Sequence, residues 1–307
     1  MKKVLIATDK PFAPAAVKGI REVVEKAGYT LVLLEKYTTP QQLIDAVSNV
    51  DAMIVRSDLI TREVLNAAGK LKIVVRAGAG YDNIDLPAAT EKGVVVMNTP
   101  GQNSNAVAEL ALGMMVYGAR GLYSGKSGTE LRGKKLGIHA FGYVGKYVAE
   151  IAKGFGMDIY AYDPYIPKET ITRAGVKPVD SAEQLYSTCQ YVSLHIPAND
   201  KTRKSIGTAL LSLMSADGVL VNTARKEVIQ EDELMKIMDE KLKFQYLTDV
   251  APDSAEAFQA KFAGRYYATP KKMGAQTEEA NINAGIAAAC QIRDFFEKGD
   301  IKFKVNK

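Results

Sequence analysis

The sequence predicts an α/β fold made of two doubly wound parallel-sheet domains with a cleft between them. Short β-branched runs alternate with helix-length segments along the chain, which is the pattern of βαβ units. The alternation comes in two series, one before and one after residue 100. A length of 307 residues is enough for two domains of common size.

Two sets of segments predict the strands of these sheets. Those of the first series are KKVLIAT, TLVLLE, AMIVRS, KIVVRAG and VVVMNT. Those of the second series are KKLGIHAFG, MDIYAYD, YVSLHIP, GVLVNTA, FQYLTDV and YYATP. Because helix-length segments separate them, the strands of each sheet are predicted to lie parallel.

Two long helical stretches predict how the domains connect. The stretch 103–120 opens with polar residues and continues AVAELALGMMVYGA, so it is predicted to carry the chain from the first domain to the second. The stretch 277–298 follows the last strand, and its length allows it to return to the first domain. We therefore predict a discontinuous domain of residues 1–99 plus 276–307 and a continuous domain of residues 100–275.

The composition, 47% hydrophobic and 24% charged, is that of a soluble globular protein. No apolar run reaches the ~18 residues of a membrane span, and the apolar run in MKKVLIATDK is too short for a signal peptide. With only Cys189 and Cys290, a disulfide framework is not expected and a reducing cytoplasm is. The net charge of +5 suits anionic ligands, but no Lys/Arg block indicates nucleic acid.

A glycine-rich loop predicts a nucleotide site in the second domain. The strand KLGIH is followed by AFGYVG and then by the helical pattern KYVAEIAKGFG. This order matches the dinucleotide fingerprint of Rossmann folds, and the predicted cofactor-binding residues are Gly142, Tyr143, Val144 and Gly145. Ala140 replaces the first glycine, and because alanine resists positive φ we expect a slightly adjusted turn. The loop alone also fits an ordinary strand–helix turn.

An acidic residue after the next strand indicates which dinucleotide binds. Asp163 ends MDIYAYD, where a carboxylate accepts hydrogen bonds from the adenosine ribose. That carboxylate would repel a 2′-phosphate, and no arginine follows it directly, so we predict NAD rather than NADP. The alternative is a turn residue before Pro164. We expect no metal ion.

Five segments of the chain resemble the D-isomer-specific 2-hydroxyacid dehydrogenases. They are RAGAGYDNIDLPAATEKGVVVMNTPGQNSNAVAEL, GIHAFGYVGKYVAEIAKGFGMDIYAYDPY, SLHIPANDKTRKSIG, GVLVNTARKEVIQEDEL and TPKKMGAQTEEANINAG. The resemblance covers nearly all of residues 1–305. It implies hydride transfer from a hydroxyl carbon to NAD, with the first domain binding the substrate and the second binding NAD. Because the sequence ends at Lys307, we expect it to lack the C-terminal regulatory domain of longer relatives.

The resemblance implies a role for each matching residue of the second domain. Arg225, in NTARK, would hold the substrate carboxylate and polarise its carbonyl. Asp249, in LTDV, would bind the nicotinamide amide. The residues that would line or flank the cofactor are Thr223, Ala224, His195, Pro197 and Thr202.

In the first domain the resemblance implies substrate-binding loops. Their residues are Arg56, Ser57, Arg76, Gly78 and Ala79, with Asn103 at the start of the connecting helix. Arginine suits an anionic substrate because its planar fork pairs bidentately with carboxylate or phosphate. The alternative for Arg56 or Arg76 is a buried structural role.

The chain departs from the family between the two domains. Residues 121–127 form a shorter loop than the tryptophan-bearing one of relatives, and the chain has no tryptophan. In relatives this region helps to form the dimer. A homodimer through the helix from Asn103 is therefore expected from the resemblance, although the short loop puts it in question. The usual arginine–glycine pair is here Arg225 and Lys226.

Two further departures fall in the catalytic set. By register from Asp249, Ser254 stands where the family has a glutamate, and Asp253 and Glu256 are displaced candidates for that role. Lys271 stands where the family has its catalytic histidine.

Lys271 is predicted to replace that histidine as the acid–base group. The only histidines, His139 and His195, lie in the cofactor motifs. A lysine side chain starts from a pKa of about 10.4, so it needs desolvation and nearby positive charge to act as a base near neutral pH. Arg225 and the cationic nicotinamide would supply the charge, and the absence of the glutamate removes an opposing carboxylate. The nearest competitor is Lys272, and the alternative is that both lysines are surface charges.

Three functions follow from these features. The first, which the resemblance implies, is NAD-dependent oxidation of 3-phospho-D-glycerate to 3-phosphohydroxypyruvate in serine biosynthesis, and Arg56, Arg76 and the basic charge favour such a doubly anionic substrate. The second is oxidation or reduction of another D-2-hydroxy acid, such as glycerate, glyoxylate or lactate. The third is an NAD-sensing scaffold that has lost catalysis, and Arg225 argues against it.

Overall fold

Two parallel sheets organise the chain in the computed structural model, which describes all residues 1–307. The first belongs to a unit made of Met1–Asn103 and Gln276–Lys307, and the second to a unit made of Ser104–Ala275. All strand pairs within the two sheets are parallel. The predicted class, α/β with two doubly wound Rossmann-like sheets, is confirmed. The substrate-binding and NAD-binding roles of the two units stay predictions.

The first unit contains a five-stranded sheet in the order β2-β1-β3-β4-β5. Its strands are β1 (Lys3–Thr8), β2 (Thr30–Glu35), β3 (Ala52–Val55), β4 (Ile73–Arg76) and β5 (Val95–Asn98). Its helices are α1 (Pro14–Lys26), α2 (Pro40–Val47), α3 (Arg62–Ala67), α4 (Leu86–Glu91) and α12 (Glu278–Lys298). The strand order reverses between β1 and β3, and ligands of such sheets bind outside the carboxyl ends of the strands at that point.

The C-terminal segment completes the first unit. α12 packs on α1 so closely that a Cβ at Gly19 would lie 2.6 Å from Cδ1 of Ile286. Beyond the helix, the backbone N–H of Val305 donates to the carbonyl of Val96 over 2.9 Å. The buried side chain of Asn306 accepts from the Val96 N–H over 2.8 Å. Residues 278–306 are therefore part of the core and sheet edge of this unit.

The second unit contains a seven-stranded sheet in the order β12-β11-β10-β9-β6-β7-β8. Its strands are β6 (Lys135–His139), β7 (Asp158–Tyr162), β8 (Lys177–Pro178), β9 (Tyr191–Leu194), β10 (Val219–Asn222), β11 (Gln245–Thr248) and β12 (Tyr266–Ala268). The order reverses between β6 and β9, as in dinucleotide-binding sheets. Strand β8 is absent from the predicted strands because two residues carry no hydrophobic pattern.

The helices of the second unit cover its sheet. They are α5 (Ser104–Ala119), α6 (Tyr143–Gly154), α7 (Lys168–Arg173), α8 (Ala182–Thr188), α9 (Thr208–Leu211), α10 (Glu231–Glu240) and α11 (Ala255–Lys261). Short 3₁₀ turns occupy Gly121–Tyr123 and Lys226–Val228. The predicted stretches 103–120 and 277–298 are confirmed as helices α5 and α12. None of the helices combines the length and the apolar character that crossing a bilayer requires.

Candidate functional site

The glycine-rich loop after β6 begins with a residue in the left-handed backbone region. Ala140 has φ 82°, so the expectation of an adjusted turn is wrong. Two hydrogen bonds fix this conformation: the Ala140 N–H donates to the carbonyl of Tyr162 over 2.9 Å, and the Phe141 N–H donates to Oδ2 of Asp163 over 2.8 Å. The surrounding structure thus imposes on an alanine the turn that a glycine adopts freely.

The same loop leaves no room at its third small residue. A Cβ on Gly145 would lie 2.4 Å from the carbonyl oxygen of Ala140 and 3.0 Å from Cγ2 of Ile138. Gly142 is the N-cap of α6 and has no atom within 4 Å of the position of a Cβ. The backbone therefore presents an open, glycine-lined helix N-terminus, which is a favourable environment for a phosphate. Tyr143 and Val144 form the first turn of that helix.

Asp163 uses both of its carboxylate oxygens, one to hold the glycine loop and the other to hold the turn after β7. Oδ2 accepts from Phe141, and Oδ1 accepts from the N–H of Tyr165 over 2.8 Å. The second bond is the turn role that was the alternative for this residue. Since each carboxylate oxygen has two acceptor sites, one site on each oxygen is left for a ribose hydroxyl. The two roles are compatible.

Both histidines lie beside this loop, His139 at the end of β6 and His195 just after β9, and burial keeps them uncharged at neutral pH. His139 Nδ1 contacts the Tyr186 hydroxyl at 3.2 Å, and burial lowers its pKa to about 4. The pKa of His195 is lowered to about 3, mainly by burial and to a smaller extent by the neighbouring His139. The Nε2 atom of His195 is buried without a hydrogen-bond partner. Nearby, the Thr202 hydroxyl donates to the carbonyl of Pro197, which closes the loop after β9.

The loop that carries Arg225 is held by a buried asparagine that the sequence analysis missed. Asn222 ends β10 and is fully buried. Its Oδ1 accepts from the Ala224 N–H over 3.0 Å, and its Nδ2 donates to the Arg225 carbonyl over 2.9 Å. The Arg225 side chain is exposed, with one bond to the Ala224 carbonyl. The signal for Asn222 was present, because asparagine before a turn bonds the backbone that follows.

Asp249 lies at the end of the neighbouring strand β11 and is 1% exposed. Its carboxylate accepts three hydrogen bonds from the segment after β12. The donors are the Thr269 hydroxyl at 2.9 Å, the Met273 N–H at 2.8 Å and the Gly274 N–H at 2.8 Å. This segment carries Lys271, whose side chain is exposed. The desolvation expected for Lys271 is therefore not supplied by the residues around it in this structure.

No hydrogen bond or ion pair joins the candidates for the family glutamate to Lys271. Asp253 is 78% exposed at its side chain and forms an ion pair with Lys226. Ser254 is the N-cap of α11, and its N–H donates to Glu231 over 2.9 Å. Glu256 lies exposed in the first turn of that helix.

In the first unit, Arg56 has a structural set of partners. Its guanidinium donates to the carbonyls of Lys10 and Pro11 and to Oδ1 of Asn281, at 2.9, 3.1 and 2.9 Å. It also lies 5.2 Å from the centre of the Phe12 ring. These contacts favour the structural alternative for Arg56.

Arg76 is less fully engaged. Its Nε donates to the Arg56 carbonyl over 3.0 Å, and no further hydrogen bond holds the guanidinium. The pKa of Arg76 is lowered, mainly by burial and to a smaller extent by the charge of Arg56. Gly78 has φ 151°, and a Cβ there would lie 1.5 Å from Nη1 of Arg76. Arg76 is therefore the better candidate for an anion ligand of the two arginines.

The other predicted residues of this unit lie on its loops. Ser57 and Ala79 are exposed, and Asn103 is half-buried before α5. The Ala79 carbonyl accepts from Nδ2 of Asn98 over 2.6 Å, which ties the loop after β4 to the end of β5.

Residues 5–306 match the catalytic domain of the D-isomer specific 2-hydroxyacid dehydrogenases. The chain belongs to this family.

Relatives and solved structures agree with this membership. The D-3-phosphoglycerate dehydrogenase of Methanocaldococcus jannaschii is 37% identical over 308 residues, which cover 95% of this chain and 57% of that protein. The hydroxypyruvate reductase of Thermotoga maritima is 36% identical and is covered over 88% of its length, with 83% of this chain. The NAD⁺-bound 3-phosphoglycerate dehydrogenase of Entamoeba histolytica is 51% identical, with a TM-score of 0.85 and coverage of 100% of this chain and 99% of that one. The chain spans about half the length of several of the curated relatives it matches.

The residues of the second unit fit the dinucleotide of the family. Gly142 leaves open space at the N-terminus of α6, and Asp163 has free acceptor sites. Two buried polar atoms, Nε2 of His195 and Oγ1 of Thr223, have no protein partner. They follow the neighbouring strands β9 and β10. Buried polar groups are usually hydrogen-bonded, so these two atoms are suited to a bound ligand.

Proposed function

We propose that this chain oxidises 3-phospho-D-glycerate to 3-phosphohydroxypyruvate with NAD, the entry step of serine biosynthesis. The observation that carries the proposal is the placement of Arg225 and Lys271. Arg225 follows β10 and Lys271 follows β12, the two strands that flank β11 and its Asp249. Because the carboxyl ends of parallel neighbours meet at one edge of a sheet, an anion ligand and a potential base are brought to the same edge.

Residues of the second unit would hold the cofactor. The N-terminus of α6, with Gly142 and Gly145, would bind the pyrophosphate, and Asp163 would bind the ribose. His195 and Thr223 would offer their unpartnered atoms to the nicotinamide half. NAD, when bound, supplies the hydride acceptor.

The chain's own residues would then handle the substrate charge and the proton. Arg225 would bind the carboxylate and orient the C2 carbon. Lys271, in its neutral form, would take the proton from the C2 hydroxyl, and in the reverse direction its ammonium would return that proton to the keto oxygen. Because Lys271 is exposed in the structure, the bound substrate and cofactor must exclude water from it. The cationic nicotinamide ring of NAD, together with Arg225, would favour the neutral form of the Lys271 amine.

The test compares the wild type with Lys271→Ala and with the adjacent Lys272→Ala as a matched control. We expect Lys271→Ala to lower kcat by about 10²–10⁴-fold, the usual contribution of a general acid–base group. The Lys272→Ala variant should retain kcat. NADH absorbance with 3-phosphoglycerate across pH 7 to 10 gives the profile, and an unchanged kcat in Lys271→Ala would remove this residue from the mechanism.

A second substrate class is favoured by the match to the Thermotoga hydroxypyruvate reductase. The enzyme would then act on an unphosphorylated D-2-hydroxy acid. The ratio of kcat/KM for 3-phosphoglycerate to kcat/KM for D-glycerate separates the two. If phosphate is recognised, Arg76→Gln lowers the first value about tenfold or more and leaves the second nearly unchanged, since a hydrogen bond to a charged group contributes about 1.5–3 kcal/mol. Equal losses would favour the unphosphorylated substrate.

We also propose a cytoplasmic homodimer formed through α5 and its flank. The short loop after α5 folds as the 3₁₀ turn Gly121–Tyr123, and the Tyr123 ring packs edge-on against Tyr117 at 4.9 Å while 66% exposed. A large exposed aromatic ring held in place suits an interface. Light scattering after size exclusion should give twice the mass of the chain, and Tyr123→Ser should shift the equilibrium toward the monomer. A wild-type monomer at micromolar concentration would rule this interface out.

A further inference from the structure

The segment 269–274 has no regular structure, yet it must place the amine of Lys271 accurately for the proposed function. No hydrogen bond or ion pair holds the Lys271 side chain. Its position is therefore set by the backbone of the segment that carries it. The contacts that fix this backbone therefore determine where the amine lies.

The segment is fixed at both ends to one carboxylate. Two residues before Lys271, the Thr269 hydroxyl donates to Oδ1 of Asp249 over 2.9 Å. Two residues after it, the Met273 N–H donates to the same oxygen over 2.8 Å, and the Gly274 N–H donates to Oδ2 over 2.8 Å. All three partners donate, which is the pattern expected around an ionised, acceptor-only carboxylate. Lys271 therefore lies at the centre of a five-residue loop closed by Asp249.

Packing on α5 fixes the loop from the other side. A Cβ at Gly274 would lie 2.9 Å from Oδ2 of Asp249, 3.4 Å from Cγ2 of Val107 and 3.5 Å from Cδ2 of Leu110. Real Cβ atoms essentially never approach within 3.0 Å, so only glycine lets the backbone reach the carboxylate here. Thr269 itself is 4% exposed. The loop is thus anchored at a buried, close-packed point while its tip is exposed.

We infer that Asp249 and Thr269 act together as positioning residues for Lys271, in addition to any contact that Asp249 makes with the cofactor. This inference rests on the proposed function, since it requires Lys271 to be the acid–base group. The Thr269 hydroxyl is the part of the closure that a side-chain substitution removes without touching the backbone. Its loss leaves Oδ1 with the Met273 bond alone and lets the Lys271 tip shift. A misplacement of about 1 Å can cost on the order of 10²-fold in rate.

The experiment uses the full chain with Thr269→Val, Thr269→Ser, Lys271→Ala and the double variant Thr269→Val/Lys271→Ala. We expect Thr269→Val to lower kcat about 10- to 100-fold while the Kd for NADH, read by its fluorescence, changes less than about twofold. Thr269→Ser keeps the hydroxyl and should restore most of kcat. On the Lys271→Ala background, Thr269→Val should cost no further rate, because the group that it positions is gone.

The outcomes separate this inference from the proposed function. If Lys271→Ala keeps wild-type kcat, the proposed mechanism fails and the positioning role fails with it. If Lys271→Ala loses activity but Thr269→Val does not, or if the two losses multiply in the double variant, the positioning role alone is overturned. Thr61→Val is the control for general destabilisation, because it removes the side-chain cap of α3 in the other unit. It should lower the melting temperature without lowering kcat.

Discussion

Replacing Ala140 by glycine should make the protein more stable, which is the reverse of the usual effect of adding a glycine. Ala140 sits at φ 82°, and an L-residue with a Cβ in the left-handed region is disfavoured by roughly 1–2 kcal/mol. Glycine avoids that strain but gains freedom in the unfolded chain, which costs about 0.4–1 kcal/mol. The central values of the two ranges, about 1.5 and about 0.7 kcal/mol, leave a net gain of about 0.8 kcal/mol. For a domain of this size that corresponds to a rise in Tm of about 1–4 °C.

Calorimetry and urea unfolding of Ala140→Gly measure this gain. The matched control is Ala15→Gly, an exposed position in the first turn of α1, which should lose up to about 0.5 kcal/mol, less than in a helix interior. The hydrogen bonds of the loop are unchanged, so NADH affinity should stay within about twofold. If Ala140→Gly is destabilised as much as Ala15→Gly, the left-handed strain assigned to Ala140 is absent and the turn has another geometry in solution.

Two further outcomes follow from the packing and burial described above. Gly145→Ala forces a Cβ to 2.4 Å from the carbonyl oxygen of Ala140, so it should cost about 1–3 kcal/mol of stability and weaken NADH binding at least tenfold. Calorimetry measures the loss of stability, and titration with NADH measures the loss of affinity. Binding as tight as that of the wild type would show that the loop is loose. The pKa values of His139 and His195, near 4 and 3, lie below the unfolded value of about 6.5. The unfolded state therefore binds more protons, so stability is full above pH ~6.5 and should fall by about 1.4 kcal/mol per histidine for each pH unit from there toward pH 4. Urea midpoints at pH 7 and 5 measure the loss, and a flat dependence would mean that the histidines are hydrated.

The strand and helix pattern was predictable from the sequence because each long element has a strong hydrophobic period. Every predicted strand is present, whereas the two-residue β8, which was not predicted, has too few side chains to form a pattern. Composition and spacing also located the glycine loop. They did not predict that Ala140 would adopt a left-handed backbone conformation. That outcome depends on a hydrogen bond from Phe141 to Asp163, 22 residues away, which no local propensity describes.

The candidate site was predictable by residue type but not by partner. Arg56 and Arg76 look equivalent in the sequence, and only the contacts of Arg56 with backbone carbonyls distinguish a structural arginine from an available one. Asn222 could have been found as a turn residue. The closure of the Lys271 loop by Asp249 could not, because it joins residues 20 to 25 positions apart through three-dimensional packing.

The place of α12 and Asn306 in the first unit has a consequence for synthesis on the ribosome. The second unit has all of its residues, 104–275, before any of the returning segment is translated. The sheet of the first unit cannot be completed until residue 306 has left the exit tunnel. Until then, its α1 face and its β5 edge remain uncovered. The middle of the chain can therefore fold co-translationally, while its N-terminal portion is the part that nascent-chain chaperones have to protect.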